Sequence, residues 1–236
     1  MLQVNKLNSG YGKLQILYDI SIECEKGEIV GIVGPNGSGK TTFLNSIFGL
    51  ADVFSGSVNF DGEELRGMPS HKIAEKGIAY LMQIHNIFPS LTVRENLEVA
   101  AASNTADVEK DIMEMLEIFP AIKPFLHRKA GTLSGGERQM LALSMTLIRR
   151  PKLILLDEPT SGLSPLYATR IINKVEEINR EFGVGMILVE QNVVKAIRIL
   201  KKVHLLVGGK VVFNGTPEDL LKEKDLIKLY LGIKGG

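Results

Sequence analysis

The 236-residue chain is poor in the residue types that mark several common chemistries. It has a single cysteine, Cys24, which excludes an internal disulfide framework and a zinc site built from several thiolates. Its four histidines show no HExxH or other paired-ligand spacing. Long hydrophobic runs are missing too. The longest apolar stretches, such as 153–156, fall far short of the ~20 residues that cross a bilayer. Residues 1–17 are interrupted by Asn5, Lys6, Asn8 and Lys13, so no secretory signal is expected there. Charge of one sign is also lacking. The 28 Lys and Arg nearly cancel the 27 Asp and Glu, and a net charge of +1 gives no electrostatic case for nucleic acid as a partner. What remains is an ordinary globular composition, 44% apolar and 23% charged, in a chain long enough to bury its own core. The expected compartment is the cytoplasm, with any role at a membrane depending on partner chains.

Short apolar runs at 29–33, 77–81, 153–156, 185–189 and 203–207 read as strands. Longer segments of helical period, such as 41–48 and 165–181, separate them. Buried runs of this kind alternating with helices indicate a parallel sheet covered on both faces. Two regions depart from the alternation. Residues 1–25 and 55–61 look like antiparallel strands joined by Gly turns. Residues 87–150 read as helix after helix, with apolar spacing of three to four in 93–103 and 108–119 and a further helical run at 138–149.

The strongest local signal is Gly34-Pro-Asn-Gly-Ser-Gly-Lys-Thr41, which fits G-x-x-x-x-G-K-[ST] between an expected strand and an expected helix. Gly34, Gly37 and Gly39 let the backbone wrap close to phosphate oxygens, and the helix that follows adds its positive end. Lys40 supplies a charge for the β- and γ-phosphates, and Thr41 a hydroxyl for Mg²⁺. Asn36, Ser38 and Thr42 complete the expected ATP-binding set. Gly208-Gly209-Lys210, by contrast, lacks the upstream glycine and the following Ser or Thr, and reads as a hairpin turn. The fold class expected is α/β: a P-loop NTPase core with a mostly parallel sheet, an N-terminal antiparallel β subdomain and an inserted helical lobe. A single domain spans 1–236, with the core in 1–86 and 151–236 and the lobe in 87–150.

Leu153-Ile-Leu-Leu-Asp-Glu158 is a buried strand that ends in two carboxylates. Strand ends face the ligand crevice in open α/β sheets. Asp157 is suited to holding Mg²⁺ through water, and Glu158 to orienting an attacking water and accepting its proton.

Leu133-Ser-Gly-Gly-Glu137, just ahead of a helical run, resembles the signature of the ATP-binding-cassette (ABC) ATPases. The resemblance runs over essentially the whole chain and implies several roles. Ser134, Gly135, Gly136 and Glu137 form a second anion cradle at a helix N-terminus, used by the ATP of an opposite chain. Ser134 and Glu137 also fit a capping box. Tyr11 matches the aromatic that stacks on adenine, and Gln83 the glutamine that reaches Mg²⁺ and links the core to the helical lobe. Gln191, within Val189-Glu-Gln-Asn192, occupies the γ-phosphate switch position where the family usually has histidine. Ser164 stands where aspartate is common. Glutamine can donate a hydrogen bond but carries no titratable charge.

The same Val189-Glu-Gln-Asn192, with Gly162-Leu-Ser-Pro165 and Tyr230-Leu-Gly232, is similar to the ATPase subunits of branched-chain amino-acid importers. The resemblance implies a subunit that hydrolyses ATP with Mg²⁺, as a homodimer or with a sister ATPase, on the inner face of the cell membrane. Permease subunits would be its direct partners and an external binding protein an indirect one. Ile84, Ile87, Phe88 and Leu91 suggest the permease-facing groove, with Ile87 expected to be exposed. A cassette serving lipopolysaccharide extraction and a non-transport ABC ATPase are the alternatives. Only residues 42–132 separate the P-loop from the signature, too few for the long coiled coil of repair members.

Overall fold

A computed structural model of the chain describes residues 1–84, 86–102, 107–191 and 196–226. Asn192 and the 230–232 motif lie outside the described residues. Strands β1 (Leu2–Tyr11), β2 (Leu14–Cys24), β4 (Asp52–Phe60) and β5 (Glu63–Glu64) form an antiparallel sheet in the order β2-β1-β4-β5. The second sheet has the order β10-β9-β3-β8-β7-β6. Its members are β3 (Ile29–Val33), β6 (Ile78–Leu81), β7 (Leu153–Asp157), β8 (Gly185–Glu190), β9 (Lys202–Val207) and β10 (Lys210–Gly215). Strands β9, β3, β8, β7 and β6 run parallel, and β10 returns antiparallel through the 208–209 turn.

Alternation along the strands explains why this sheet reads as continuous apolar runs. Val30 and Ile32 of β3, Leu153 and Leu155 of β7, and Ile187 and Val189 of β8 face one core. There they meet Phe43, Leu44 and Ile47 of α1 (Lys40–Ile47) and the inner face of the antiparallel sheet. Ile29 and Val33, Ile154 and Leu156, and Met186 and Leu188 face the other core. That core is closed by α3 (Val93–Ala101), α4 (Val108–Ile118), α5 (Gly135–Leu147) and α6 (Pro165–Phe182); α2 is the short helix Ser70–Glu75. The result is three layers, with the parallel sheet between the antiparallel sheet and the helices.

Helix α5 starts three residues before the apolar periodicity suggests. Ser134 accepts from the Glu137 amide and the Glu137 carboxylate accepts from the Ser134 amide, so the capping box carries the glycines into the first turn. A second capping box, Thr92 with Glu95, starts α3. The loop before α3 is held by the fully buried Asn96. Its Nδ2 donates to the carbonyls of Phe88 (3.0 Å) and Thr92 (2.8 Å), and its Oδ1 accepts from the Phe88 amide (2.7 Å).

Replacing Asn96 removes all three bonds at once. Asn96→Ala is expected to lose about 1–3 kcal/mol of stability, the cost of leaving the Phe88 amide unpaired, since the Phe88 and Thr92 carbonyls keep the Leu91 and Asn96 amides. A denaturant titration would show this as a lower midpoint at unchanged slope.

Candidate active site

Four parallel strands end on one edge of the sheet and supply the site. β3 runs into the 34–41 loop, β6 leads to Gln83, β7 ends at Asp157 and Glu158, and β8 ends at Glu190 ahead of Gln191. The register sets Val33 beside Glu190, Val189 beside Asp157, and Leu156 beside Leu81. Residues far apart in sequence therefore meet there.

The 34–41 loop folds tightly around its own lysine. Lys40 is 5% exposed, and its Nζ donates to the carbonyls of Gly34 (2.9 Å) and Pro35 (3.0 Å). Gly34 is required by close approach: a Cβ there would come 2.1 Å from the Leu206 carbonyl oxygen of β9. The β9–β10 turn braces the loop further, since the Gly209 amide donates to the Ser38 carbonyl at 3.0 Å. The Gly208-Gly209 turn thus has a second task that its sequence does not announce.

Three carboxylates surround this one ammonium. Glu158 Oε1 lies 3.9 Å from Lys40 Nζ, and Asp157 and Glu190 act on it at longer range. Burial holds the Lys40 pKa below the usual lysine range, and the carboxylates work against that shift. Burial also raises the Asp157 carboxyl above the ordinary carboxylate range, with the Glu158 charge adding to the effect. The neighbouring Thr41 and Tyr80 hydroxyls and the Lys40 charge oppose it. Glu158 Oε2 accepts from Gln83 Nε2 at 3.1 Å. Glu190 Oε1 accepts from the Thr160 amide (3.2 Å) and hydroxyl (2.9 Å).

These groups border a cavity of about 490 Å³ lined by residues 36–42, Gln83, Glu158, Ser161, Gln191 and Ile16. The structure thus brings Asn36, Gly37, Ser38, Gly39, Lys40, Thr41, Thr42, Gln83, Glu158 and Gln191 to one cavity. Gly34 and Asp157 lie just beneath it, both buried. The surroundings fit a divalent cation. Among the described residues oxygen donors converge, three carboxylates act on Lys40, and the buried Asp157 Oδ1 has no hydrogen-bond partner. Among the described residues no group of three or more His, Cys, Asp or Glu could hold a metal alone.

A sequence profile of the ABC transporter family matches residues 17–161. The chain belongs to the ABC transporter family. It is 47% identical over 234 residues to the probable branched-chain amino acid transport ATP-binding protein LivF of Archaeoglobus fulgidus, covering 99% of each chain. Identity to the high-affinity branched-chain amino acid transport ATP-binding protein BraG of Pseudomonas aeruginosa is 41% over 233 residues, 98% of this chain and 100% of that one. Among solved structures, the ADP conformation of MJ1267, an ATP-binding cassette of an ABC transporter, is similar with a TM-score of 0.87. Its identity is 25%, over 97% of each chain. The chain is therefore an ATP-binding, ATP-hydrolysing cassette with the P-loop fold of its family.

Within the cassette, two expected groups stand apart from the cavity. Ser134–Gly136 are not among its lining residues; Ser134 and Gly135 are exposed at the α5 N-terminus. Gly136 meets Tyr167 of α6 so closely that a Cβ would fall 2.1 Å from its ring. Tyr11 does not line the cavity either, and its hydroxyl accepts from Asn45 Nδ2 at 2.7 Å. A second groove of about 290 Å³ lies between the sheet edge and the helices, lined among others by Phe48, Met82, Asn86, Phe88, Val99 and Met145. Phe88 is 49% exposed there, whereas Ile87 is half-buried against the core rather than exposed. Sequence reasoning missed Glu190 with Thr160, and Asn45 with Tyr80. Their only signal was polarity beside a motif.

A carboxyl whose folded pKa is raised gives stability that is full below its unfolded pKa, near 3.8 for Asp157, and lost as pH rises through the folded value. At neutral pH the ionised Asp157 is therefore a net cost to the fold. Asp157→Asn is expected to raise the melting temperature without nucleotide by about 2–4 °C at pH 7.5, the effect of ~1 kcal/mol in a domain of this size. The gain should shrink as pH falls through the raised folded value and vanish below about 3.8. Thermal denaturation across that range measures both.

Proposed function

We propose that this cassette is the ATP-hydrolysing subunit of an importer for branched-chain or related amino acids. The observation that carries the reading is identity of 47% and 41%, over nearly entire chains, to two branched-chain amino acid transport ATP-binding proteins. In this reading the 34–42 loop and Lys40 bind the phosphates, and Tyr11 serves the adenine from outside the cavity. Thr41, Gln83 and Asp157 hold Mg²⁺, which when bound offsets phosphate charge. Glu158, restrained by Gln83 and Lys40, orients the attacking water and takes its proton. Gln191 lines the cavity and contacts the γ-phosphate through its amide.

Ser134, Gly135, Gly136 and Glu137 serve the ATP of a second cassette, a copy of this chain or a sister ATPase. The exposure of Ser134 and Gly135 at a helix N-terminus, apart from the chain's own cavity, supports that assignment. The groove at Phe88 takes a permease segment, supported by the exposed Met82, Phe88 and Val99 along it. No helix of the described residues is long and apolar enough to cross a membrane, so permease chains carry the substrate path and an external binding protein delivers it. The cassette then sits in the cytoplasm, peripheral on the inner face of the cell membrane. The core of 1–86 and 151–236 and the lobe of 87–150 act as parts of one domain.

If Glu158 does the proton work, Glu158→Gln keeps ATP affinity while turnover falls by roughly 10²–10⁴-fold. With ATP this variant should dimerise, alone or with its sister subunit, and Gly135→Asp added to it should abolish the dimer by setting a carboxylate against phosphate. Light scattering and ATPase assays read both; wild-type turnover in Glu158→Gln removes it from the role.

For the groove, Phe88→Asp should reduce substrate uptake in vesicles holding the assembled transporter by roughly 10-fold or more, as for a buried aromatic anchor. ATP hydrolysis by the isolated cassette should stay near wild type. Unchanged uptake would move the permease contact elsewhere.

A further inference from the structure

Beside the cavity, a chain of three hydrogen-bond contacts runs from Tyr11 to Asp157. Asn45, in α1, donates from Nδ2 to the Tyr11 hydroxyl at 2.7 Å. Its Oδ1 lies 3.1 Å from the Tyr80 hydroxyl, which in turn lies 3.3 Å from Asp157 Oδ2. The four residues come from β1, α1, β6 and β7, so the fold alone assembles them.

Tyr80 has one hydroxyl proton and two acceptors in reach, so Asn45 and Asp157 compete for it. A carboxylate is the stronger acceptor. Asn45 is held in the contest by its own bond to Tyr11, which fixes the amide with Oδ1 towards Tyr80. With Oδ2 turned to Tyr80, the buried Asp157 Oδ1 is left without a hydrogen-bond partner. Partners of this kind orient a carboxylate that serves a metal, directly or through water.

We propose that Tyr80 is a positioning residue for the Mg²⁺ carboxylate: its hydroxyl fixes Asp157 with Oδ1 presented, and Asn45, contesting the same proton, ties that presentation to Tyr11. The proposal rests on the assignment of Asp157 to Mg²⁺. It separates Tyr80 from a merely structural role. Its ring already packs edge-on to Phe48 with centroids 5.4 Å apart, a contact that Tyr80→Phe keeps.

The test uses the whole chain saturated with ADP and titrated with Mg²⁺, following the rise in melting temperature. Binding of a fluorescent ADP analogue in EDTA is measured alongside. Tyr80→Phe should raise the Mg²⁺ concentration for half the rise by roughly 10-fold, the usual effect of losing such a partner, with ADP affinity in EDTA unchanged. Asn45→Leu leaves the Tyr80 proton to Asp157 and should not raise that concentration; the double variant should behave as Tyr80→Phe. Equal weakening by Asn45→Leu and Tyr80→Phe would overturn the competition. A wild-type Mg²⁺ titration in Tyr80→Phe, with the rise abolished in Asp157→Asn, would overturn the proposal alone. A wild-type titration in Asp157→Asn would instead overturn the metal assignment beneath it.

Discussion

Lys40 is an ammonium buried at the C-terminal edge of a parallel sheet, and the groups around it are arranged on the terms its charge sets. A buried cation is costly unless it is paired and hydrogen-bonded. Two of its protons go to the Gly34 and Pro35 carbonyls, so the loop is shaped by the side chain it carries. The countercharge comes from Glu158 at 3.9 Å and from Asp157 and Glu190 farther off. Each of the three carboxylates is separately restrained: Asp157 by Tyr80, Glu158 by Gln83, Glu190 by Thr160. Carboxylate oxygens gathered at this edge make the cavity receptive to a divalent cation arriving with nucleotide.

The layers follow from the same edge. All the parallel strands present their C-terminal ends together, and period-two alternation gives the sheet an apolar face for each flanking layer. The antiparallel sheet and α1 cover one face, and the β9–β10 turn reaches across to brace the loop at Ser38. The helices cover the other. Gln83 bonds Glu158, while its neighbour Met82 lines the Phe88 groove. One short stretch of chain therefore touches both the reacting carboxylate and the surface proposed for the permease.

Burial runs and local motifs were legible in the sequence because each depends on neighbours along the chain. β3 occupies the expected 29–33, β7 and β8 extend their expected runs by one residue each, and the glycine turn at 208–209 joins two antiparallel strands as expected. The 34–41 loop declares itself because phosphate binding by backbone amides demands closely spaced glycines. What stayed hidden is partnership across register. Nothing near Tyr80 in sequence says that β6 will set its hydroxyl between α1 and β7, and nothing near Glu190 points to Thr160. Exposure within a loop is equally hidden. Ile87 and Phe88 are both apolar, yet Phe88, its backbone pinned by Asn96, faces the groove while Ile87 packs inward.

Glu158 shows how such a site is kept in place. Its backbone sits in the left-handed region, φ 48°, a conformation that costs a non-glycine residue about 1–3 kcal/mol. Glycine would relieve that strain and remove the carboxylate. The conformation is held from both sides, since the Glu158 amide donates to the Val189 carbonyl (3.0 Å) and its own carbonyl accepts from the Ser161 amide (3.0 Å). Val189 belongs to the strand that leads to Gln191, and Ser161 to the loop leading into α6. The strained residue therefore joins the β7 end, the β8 end and the 158–164 loop. Leu163 of that loop lies beside Gly135, so the backbone of the group proposed to activate water is joined through Ser161 to the surface beside the exposed signature helix.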